Sequence, residues 1–332
     1  MRCDDAFPDS PDFASSLCAG RRRASFRGVQ RFHFRDFDAA DLAGRKSGAT
    51  LSICIPTLNE AATIGEIVAC VRRELVEEVP LVDEIVVIDS SSDDGTREIA
   101  EEAGARVCLS SEVAPDTGTH VGKGENLWKA MHAASGSILC FLDGDIAEFH
   151  SGFVTGLVGT LLTEPSVDYV KAFYERPISH GDTLHSQGGG RVSEILVRPF
   201  LSMFYPELGD ILQPLAGEYA ARRGLLETLA FPTGYGVEIA HLIDLARMGR
   251  LQSIAQTDLV RRIHRNRDEG DLGDTAFAIL RVLMRRLERD GKLRLLAEPS
   301  TLHRRWWIDG ETVMPLVREI PEPERPPLCG ED

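Results

Sequence analysis

Four apolar runs, each followed by a polar turn and separated by stretches of helical period, constrain this chain more than any other feature. They are Thr50 to Ile55, Glu84 to Ile88, Ala105 to Leu109 and Ser137 to Leu142. A run that is apolar at nearly every position suits a parallel strand covered on both faces. Between the runs, residues 61–75, 96–103 and 126–134 carry helical spacing. The order is βαβαβαβ, and right-handed crossovers make it a doubly wound, mostly parallel α/β sheet. Pro56 is expected to stop the first strand. The second half is less regular. It reads as a helix over 153–162, a strand over 169–174, a helix from the glycines at 188–190 to Met203, and a strand over 217–222. A helix over 235–248, a strand over 254–260 and a charged helix over 275–290 follow.

In such sheets ligands bind outside the carboxyl ends of the strands. Three strand ends here carry polar groups. The first run leads into Pro56-Thr57-Leu58-Asn59-Glu60, where Thr57 or Asn59 could cap the next helix. The second ends in Asp89 and a serine-rich turn. Asp89 can accept hydrogen bonds from a base or a ribose hydroxyl, or serve the turn and helix cap that follow, and both uses stay open. The fourth delivers Asp143-Gly144-Asp145. Two carboxylates at a strand end suit a hard divalent cation and a phosphate, although Asp-Gly-Asp is also an ordinary turn.

Further candidates lie off these corners. Gly122-Lys123-Gly124-Glu125 lacks the spacing of a phosphate-binding P-loop, but its glycines would let a backbone approach a ligand beside the Lys123 ammonium. Gly188-Gly189-Gly190-Arg191-Val192-Ser193 puts N–H groups and a guanidinium at a helix start, which suits an anion. Arg262-Ile263-His264-Arg265-Asn266 follows a strand, where His264 could complete a metal site with Asp145. His120, His132, His150 and His185 have no comparable setting.

The 332 residues carry a net charge of -15, which argues against nucleic acid as the main partner but not against an anionic substrate held by local arginines. The seven cysteines show no paired or metal-like spacing and read as reduced thiols. No run approaches the roughly 20 apolar residues of a membrane span, and the start of the chain, with Asp4 and Asp5, does not resemble a signal peptide. The expectation is a cytoplasmic protein.

Taken together, Pro-Thr-Leu-Asn-Glu, Val-Ile-Asp-Ser-Ser-Ser-Asp-Asp-Gly-Thr and Leu-Asp-Gly-Asp resemble the GT-A glycosyltransferase core. Gly122 to Glu125, Gly190 to Ser193, Leu215-Ala216-Gly217-Glu218, Tyr235-Gly236-Val237-Glu238 and Arg262 to Asn266 narrow the likeness to the retaining glucosyl- and mannosyl-3-phosphoglycerate synthases. The resemblance covers about residues 25–300. It implies a GT-A fold with a helical acceptor-binding C-terminal part. The division would be an N-terminal extension (1–48), a nucleotide-sugar half (49–150), an acceptor half (151–310) and a tail (311–332) whose prolines are expected to fray. The extension would pack on the main body or on a second subunit.

By that resemblance Pro56, Thr57, Leu58, Glu60, Ser90 and Lys123 hold the nucleotide, and Asp143 contacts the ribose or sugar. Asp145 and His264 bind Mg²⁺ or Mn²⁺ with the donor diphosphate. Gly190, Arg191, Val192 and Ser193 cradle the phosphoglycerate, with Arg262 and Asn266 on its other side. Leu215 offers its backbone to the sugar and Glu238 orients sugar hydroxyls. Asp145, Lys123 and Glu238 form the catalytic set, and the assembly is a homodimer. Two departures are Gly144 at the centre of the aspartate pair and Ser193 where threonine is common in the family.

The resemblance implies transfer of mannose or glucose from a GDP- or UDP-sugar to the 2-hydroxyl of 3-phosphoglycerate, with a lean to mannose. The sequence offers no carboxylate that clearly suits a covalent double displacement. The resemblance instead implies front-face attack by the acceptor hydroxyl, with the leaving phosphate helping to remove its proton. Two other readings remain at this point: a polyprenyl-phosphate hexosyltransferase and a non-catalytic nucleotide-sugar-binding regulator.

Overall fold

The computed structural model describes residues 28–175, 178–180, 183–185, 190–262, 269–310 and 312–329. The strands in chain order are β1 (Gln30–His33), β2 (Leu51–Thr57), β3 (Glu84–Asp89), β4 (Arg106–Leu109), β5 (Ile138–Phe141), β6 (Tyr169–Glu175), β7 (Ile178–His180), β8 (Thr183–His185), β9 (Tyr219–Arg222), β10 (Phe231–Pro232), β11 (Ile254–Arg261), β12 (Leu302–Asp309), β13 (Thr312–Glu319) and β14 (Glu324–Arg325). The α-helices are α1 (Ala39–Arg45), α2 (Ile64–Arg72), α3 (Thr96–Ala103), α4 (Lys123–Ala133), α5 (Gly152–Thr163), α6 (Arg198–Phe204), α7 (Arg223–Leu226), α8 (Val237–Arg247) and α9 (Glu269–Arg289).

Eight strands form one sheet in the order β1-β11-β6-β9-β5-β2-β3-β4. All neighbours are parallel except β9, which runs antiparallel between β5 and β6. This is the mostly parallel sheet expected from the alternating pattern, and it agrees with the GT-A fold that the resemblance implies. Side chains alternate across the sheet. Ile53 and Ile55 of β2 join a core with α2 and α5, whereas Cys54 joins the opposite core with α4, α8 and α9. Both faces are therefore dry, which accounts for the unbroken apolar runs.

Two differences from the sequence reading, at Pro56 and in the tail, have clear causes. β2 runs through Pro56 to Thr57 instead of stopping before the proline. Its pairing with β5 ends at Cys54↔Phe141, so the missing proline N–H removes no bond on that side. Of the two placements expected for the N-terminal extension, its described part takes the main body, as an edge of the sheet: β1 pairs with β11, and Phe37 lies so close to α5 that a Cβ on Gly159 would stand 2.4 Å from its ring. The tail expected to fray is docked. β14 pairs with β10, buried Arg325 binds the fully buried Glu125 carboxylate through two contacts of 2.7 Å, and the Trp128 indole donates to the Pro326 carbonyl at 3.1 Å. The hairpin β12–β13, whose second strand is the first part of this tail, was not anticipated, and Trp306, Trp307, Ile308 and Val313 are exposed on it.

Candidate active site

The corners after β2 and β3 are stitched together. Asn59 adopts a left-handed backbone (φ 60°), which asparagine tolerates better than most residues. Its N–H donates to Ser92 Oγ at 2.9 Å, and its Oδ1 accepts from the Asp93 N–H at 3.1 Å. The Glu60 N–H donates to Thr96 Oγ1 at 2.8 Å. Asp89 is fully buried. It accepts from Thr57 Oγ1 (2.9 Å), the Ser92 N–H (2.8 Å) and Ser92 Oγ (2.5 Å). Of its two possible uses, the structure shows the turn.

The corner after β5 is built differently, because its carboxylates meet cations brought from far along the chain. Lys123, at the first position of α4, lies 2.5 Å from Asp143 and 2.8 Å from Glu238 at the start of α8. Burial disfavours the ammonium, but the two carboxylates outweigh it and hold the lysine pKa above its ordinary value. Arg262, just beyond β11, donates to Asp143 at 2.8 Å and to Asp145 at 2.6 Å. Beneath it lies Glu218, fully buried, 3.1 Å from the Arg262 Nε and accepting from the Tyr174 hydroxyl at 2.6 Å. Burial raises the Glu218 pKa against the pull of Arg262. Arg262 is itself held cationic, because these acidic neighbours outweigh its own burial.

A cleft of about 540 Å³ opens at this end of the sheet. Pro56, Thr57, Leu58, Glu60, Ser90, Lys123, Asp143 and Asp145 all line it. Glu238 sits behind them on Lys123, and the Leu215 side chain packs into the core below. Gly190, Arg191, Val192 and Ser193 are not among the lining residues; Gly190 has φ 80° and Ser193 is buried at the start of the helical segment leading into α6. Gly188, Gly189, His264 and Asn266 lie outside the described residues. Among the described residues, no group of three or more His, Cys, Asp or Glu is gathered as metal ligands, and no helix is long and apolar enough to cross a membrane.

Sequence reasoning missed Glu218, Tyr174 and Gly217. The first two anchor Arg262. Gly217 backs the Asp143–Lys123 pair, since a Cβ there would stand 2.3 Å from Asp143 Oδ2 and from Lys123 Nζ. The signal was in the Leu-Ala-Gly-Glu stretch, of which only Leu215 was given a role. The Arg262 contact with the aspartates was likewise not foreseen, as the sequence reading placed that residue on the acceptor.

The glycosyl transferase family 2 model matches residues 52–226, which contain β2 through β9 and the first three strand-end corners. The chain is 48% identical over 283 residues to the glucosyl-3-phosphoglycerate synthase of Petrotoga mobilis, covering 85% of this chain and 87% of that one. It is similar to the crystal structure of the Mycobacterium tuberculosis glucosyl-3-phosphoglycerate synthase in complex with Mn²⁺, uridine diphosphate and phosphoglyceric acid. That match has a TM-score of 0.80 and 36% identity, over 90% of this chain and 98% of that one. The mannosyl-3-phosphoglycerate synthase of Rubrobacter xylanophilus matches with a TM-score of 0.83 and 34% identity, over 90% and 96%. With the strand-end cleft and these matches spanning nearly its whole length, the chain belongs to glycosyl transferase family 2, as a glycosyltransferase of the branch that holds the glucosyl-3-phosphoglycerate synthases.

Proposed function

We propose that this glycosyltransferase moves glucose from UDP-glucose to the 2-hydroxyl of 3-phosphoglycerate with retention, giving glucosyl-3-phosphoglycerate. The observation that carries the reading is the cleft, whose wall gathers from four separate corners the eight residues Pro56, Thr57, Leu58, Glu60, Ser90, Lys123, Asp143 and Asp145. The names of the Petrotoga and Mycobacterium relatives, and the UDP and phosphoglyceric acid bound to the latter, move the lean from mannose to glucose. Mannose from a GDP-sugar is the second reading, supported by the likeness to the Rubrobacter mannosyl enzyme.

Each residue then has a task. Pro56, Thr57, Leu58, Glu60 and Ser90 hold the nucleoside, and Asp143 meets the ribose or sugar. Lys123, kept cationic by Asp143 and Glu238, faces the charge that develops on the leaving diphosphate. Glu238 orients Lys123 and the sugar hydroxyls. Asp145 offers hard carboxylate oxygen at the cleft wall, a donor that fits Mg²⁺ or Mn²⁺, and we assign the ion to it, with His264 as a second ligand. When bound, the ion supplies Lewis-acid neutralisation of the leaving group. Gly190, Arg191, Val192, Ser193 and Asn266 take the acceptor, and Arg262 lends it a positive face while holding the two aspartates.

Attack by the acceptor hydroxyl on the front face needs no covalent intermediate. Glu218, the buried carboxylate beneath Arg262, is occupied by Tyr174 and Arg262 and does not line the cleft. A homodimer completes the proposal; the exposed apolar hairpin β12–β13 supports it, and the molar mass in solution tests it.

The test of function is a donor panel. UDP-glucose, GDP-glucose and GDP-mannose are each supplied with 3-phosphoglycerate and Mn²⁺, and the sugar phosphoglycerate is quantified. The expected result is fastest turnover with UDP-glucose. Faster turnover with GDP-mannose would select the second reading, and no product from any donor would overturn the acceptor.

A further inference from the structure

The buried charge around the cleft extends beyond the residues that line it. Lys171, in the middle of β6, is fully buried. Among the described residues its ammonium donates to the Ala216 carbonyl, and it lies 5.4 Å from the centre of the Tyr219 ring. A lysine in such a place is costly, because one carbonyl does not replace the water that burial removes. A methionine would fill similar volume without that cost. Burial does pull its pKa down, to about 8, against the raising effect of Glu238, Glu218 and Asp143.

What the ammonium holds gives it a use. Residues 213–218 form a turn fastened to β6 at several points. The Gln213 side chain exchanges hydrogen bonds with the Tyr174 backbone, the Ala172 N–H donates to the Glu218 carbonyl at 3.0 Å, and the Tyr174 hydroxyl donates to the Glu218 carboxylate. The Ala216 N–H turns back onto the Gln213 carbonyl at 3.1 Å. Lys171 supplies the remaining fastening, on the carbonyl of the peptide that joins Ala216 to Gly217. That peptide is planar, so fixing its carbonyl fixes the Gly217 N–H as well. Gly217 is the backbone wall against which Asp143 and Lys123 rest.

We propose that Lys171 is a positioning residue for sugar transfer: its ammonium fixes the Ala216–Gly217 peptide, and through it the Asp143–Lys123 pair. The inference rests on the reading of the cleft as the donor site, and two independent readouts separate its failure from the failure of that reading.

The variants are Lys171→Met, which removes the donor, and Lys171→Gln, which keeps an N–H able to donate to a carbonyl. Hydrogen exchange measures the backbone of 213–218 without reference to activity. Steady-state kinetics with UDP-glucose and 3-phosphoglycerate, and calorimetry with UDP and Mn²⁺, measure the site. In Lys171→Met, exchange in 213–218 rises at least about tenfold while other core segments stay protected. Its kcat falls about 30-fold, with the UDP affinity and the KM for 3-phosphoglycerate within about twofold, because misplaced groups cost rate more than ground-state binding. Lys171→Gln recovers part of kcat. If Lys171→Met does not fold, the Gln variant is judged on the same two readouts, with smaller changes in the same direction.

Unchanged exchange in 213–218 overturns the proposal. So does a kcat within twofold of the parent, or a loss of kcat matched by equal losses of UDP affinity and of protection throughout the core. A parent that transfers no sugar, with Lys171→Met still loosening 213–218, would sink the donor-site reading and leave the positioning contact standing.

Discussion

The two strands that flank β2 both lead into aspartates, and the two corners have opposite fates. Asp89, after β3, is fully buried and bound to hydroxyl and N–H donors from its own turn and from Thr57 on the next strand. Asp143 and Asp145, after β5, line the cleft and are bound to Lys123 and Arg262. Residue type and topological position are shared, so neither distinguishes a carboxylate spent inside its turn from one that faces the cleft. The partners do. Short hydrogen bonds from neutral donors satisfy Asp89, with the Arg97 guanidinium only at 3.9 Å, whereas the close cations Lys123 and Arg262 leave an oxygen-rich surface at Asp143 and Asp145 that a divalent ion and a diphosphate can share.

The comparison predicts a graded set of outcomes. Asp145→Ala should lower transfer by about a thousandfold, since a ligand for the ion is lost along with its charge stabilisation. Folding should survive, and an urea melt beside the assay checks both. Lys123→Met should cost about 100-fold in kcat, because a preorganised charge facing the leaving group is removed. It also leaves Glu238 without the cation it is bound to, so a small loss of stability should accompany it.

Asp89→Ala should reverse the pattern. Its loss strands the Ser92 N–H and the Thr57 hydroxyl, at a cost of about 3 kcal/mol of stability, while activity per folded molecule stays within about threefold. A loss of turnover as large as that of Asp145→Ala at full stability would break the comparison.

The smallest effect lies at the opposite end of β3. Burial alone would raise the pKa of Glu84, but hydrogen bonds from Ser135, Ser52 and Arg106 outweigh it and bring the pKa to about 2. The unfolded value is about 4.3, so the contribution is fully present above that pH and is lost as pH falls toward the folded value. Glu84→Gln should therefore flatten the acid end of the stability curve and leave turnover at neutral pH unchanged.

The contrast also marks how far the sequence could be read. The sheet was legible because covered parallel strands must be apolar throughout, and 96–103 was placed as a helix with the bounds the structure gives α3. That residues after β2, β3 and β5 would share one cleft was legible because topology puts those strand ends side by side. Their electrostatics were not. Arg262 reaches Asp143 and Asp145 across more than a hundred residues of chain, and nothing in the spacing announces that contact. Glu218 was hidden for the same reason, since a buried carboxylate is recognised only once its partner is in place. The docked tail was misread because prolines disfavour regular structure, while the Arg325 contact that holds it depends on Glu125, 200 residues away in sequence.

The central claim is that the Asp143–Asp145 corner is the metal-assisted donor station. Calorimetric titration of UDP into the parent enzyme, Asp145→Ala and Asp89→Asn, with Mn²⁺ and with chelator, tests it most directly. The account predicts tight, Mn²⁺-dependent binding to the parent and to Asp89→Asn, and loss of the Mn²⁺-dependent part in Asp145→Ala. Equal UDP affinity with and without Mn²⁺, or an Asp145→Ala protein that binds as the parent does, would contradict it.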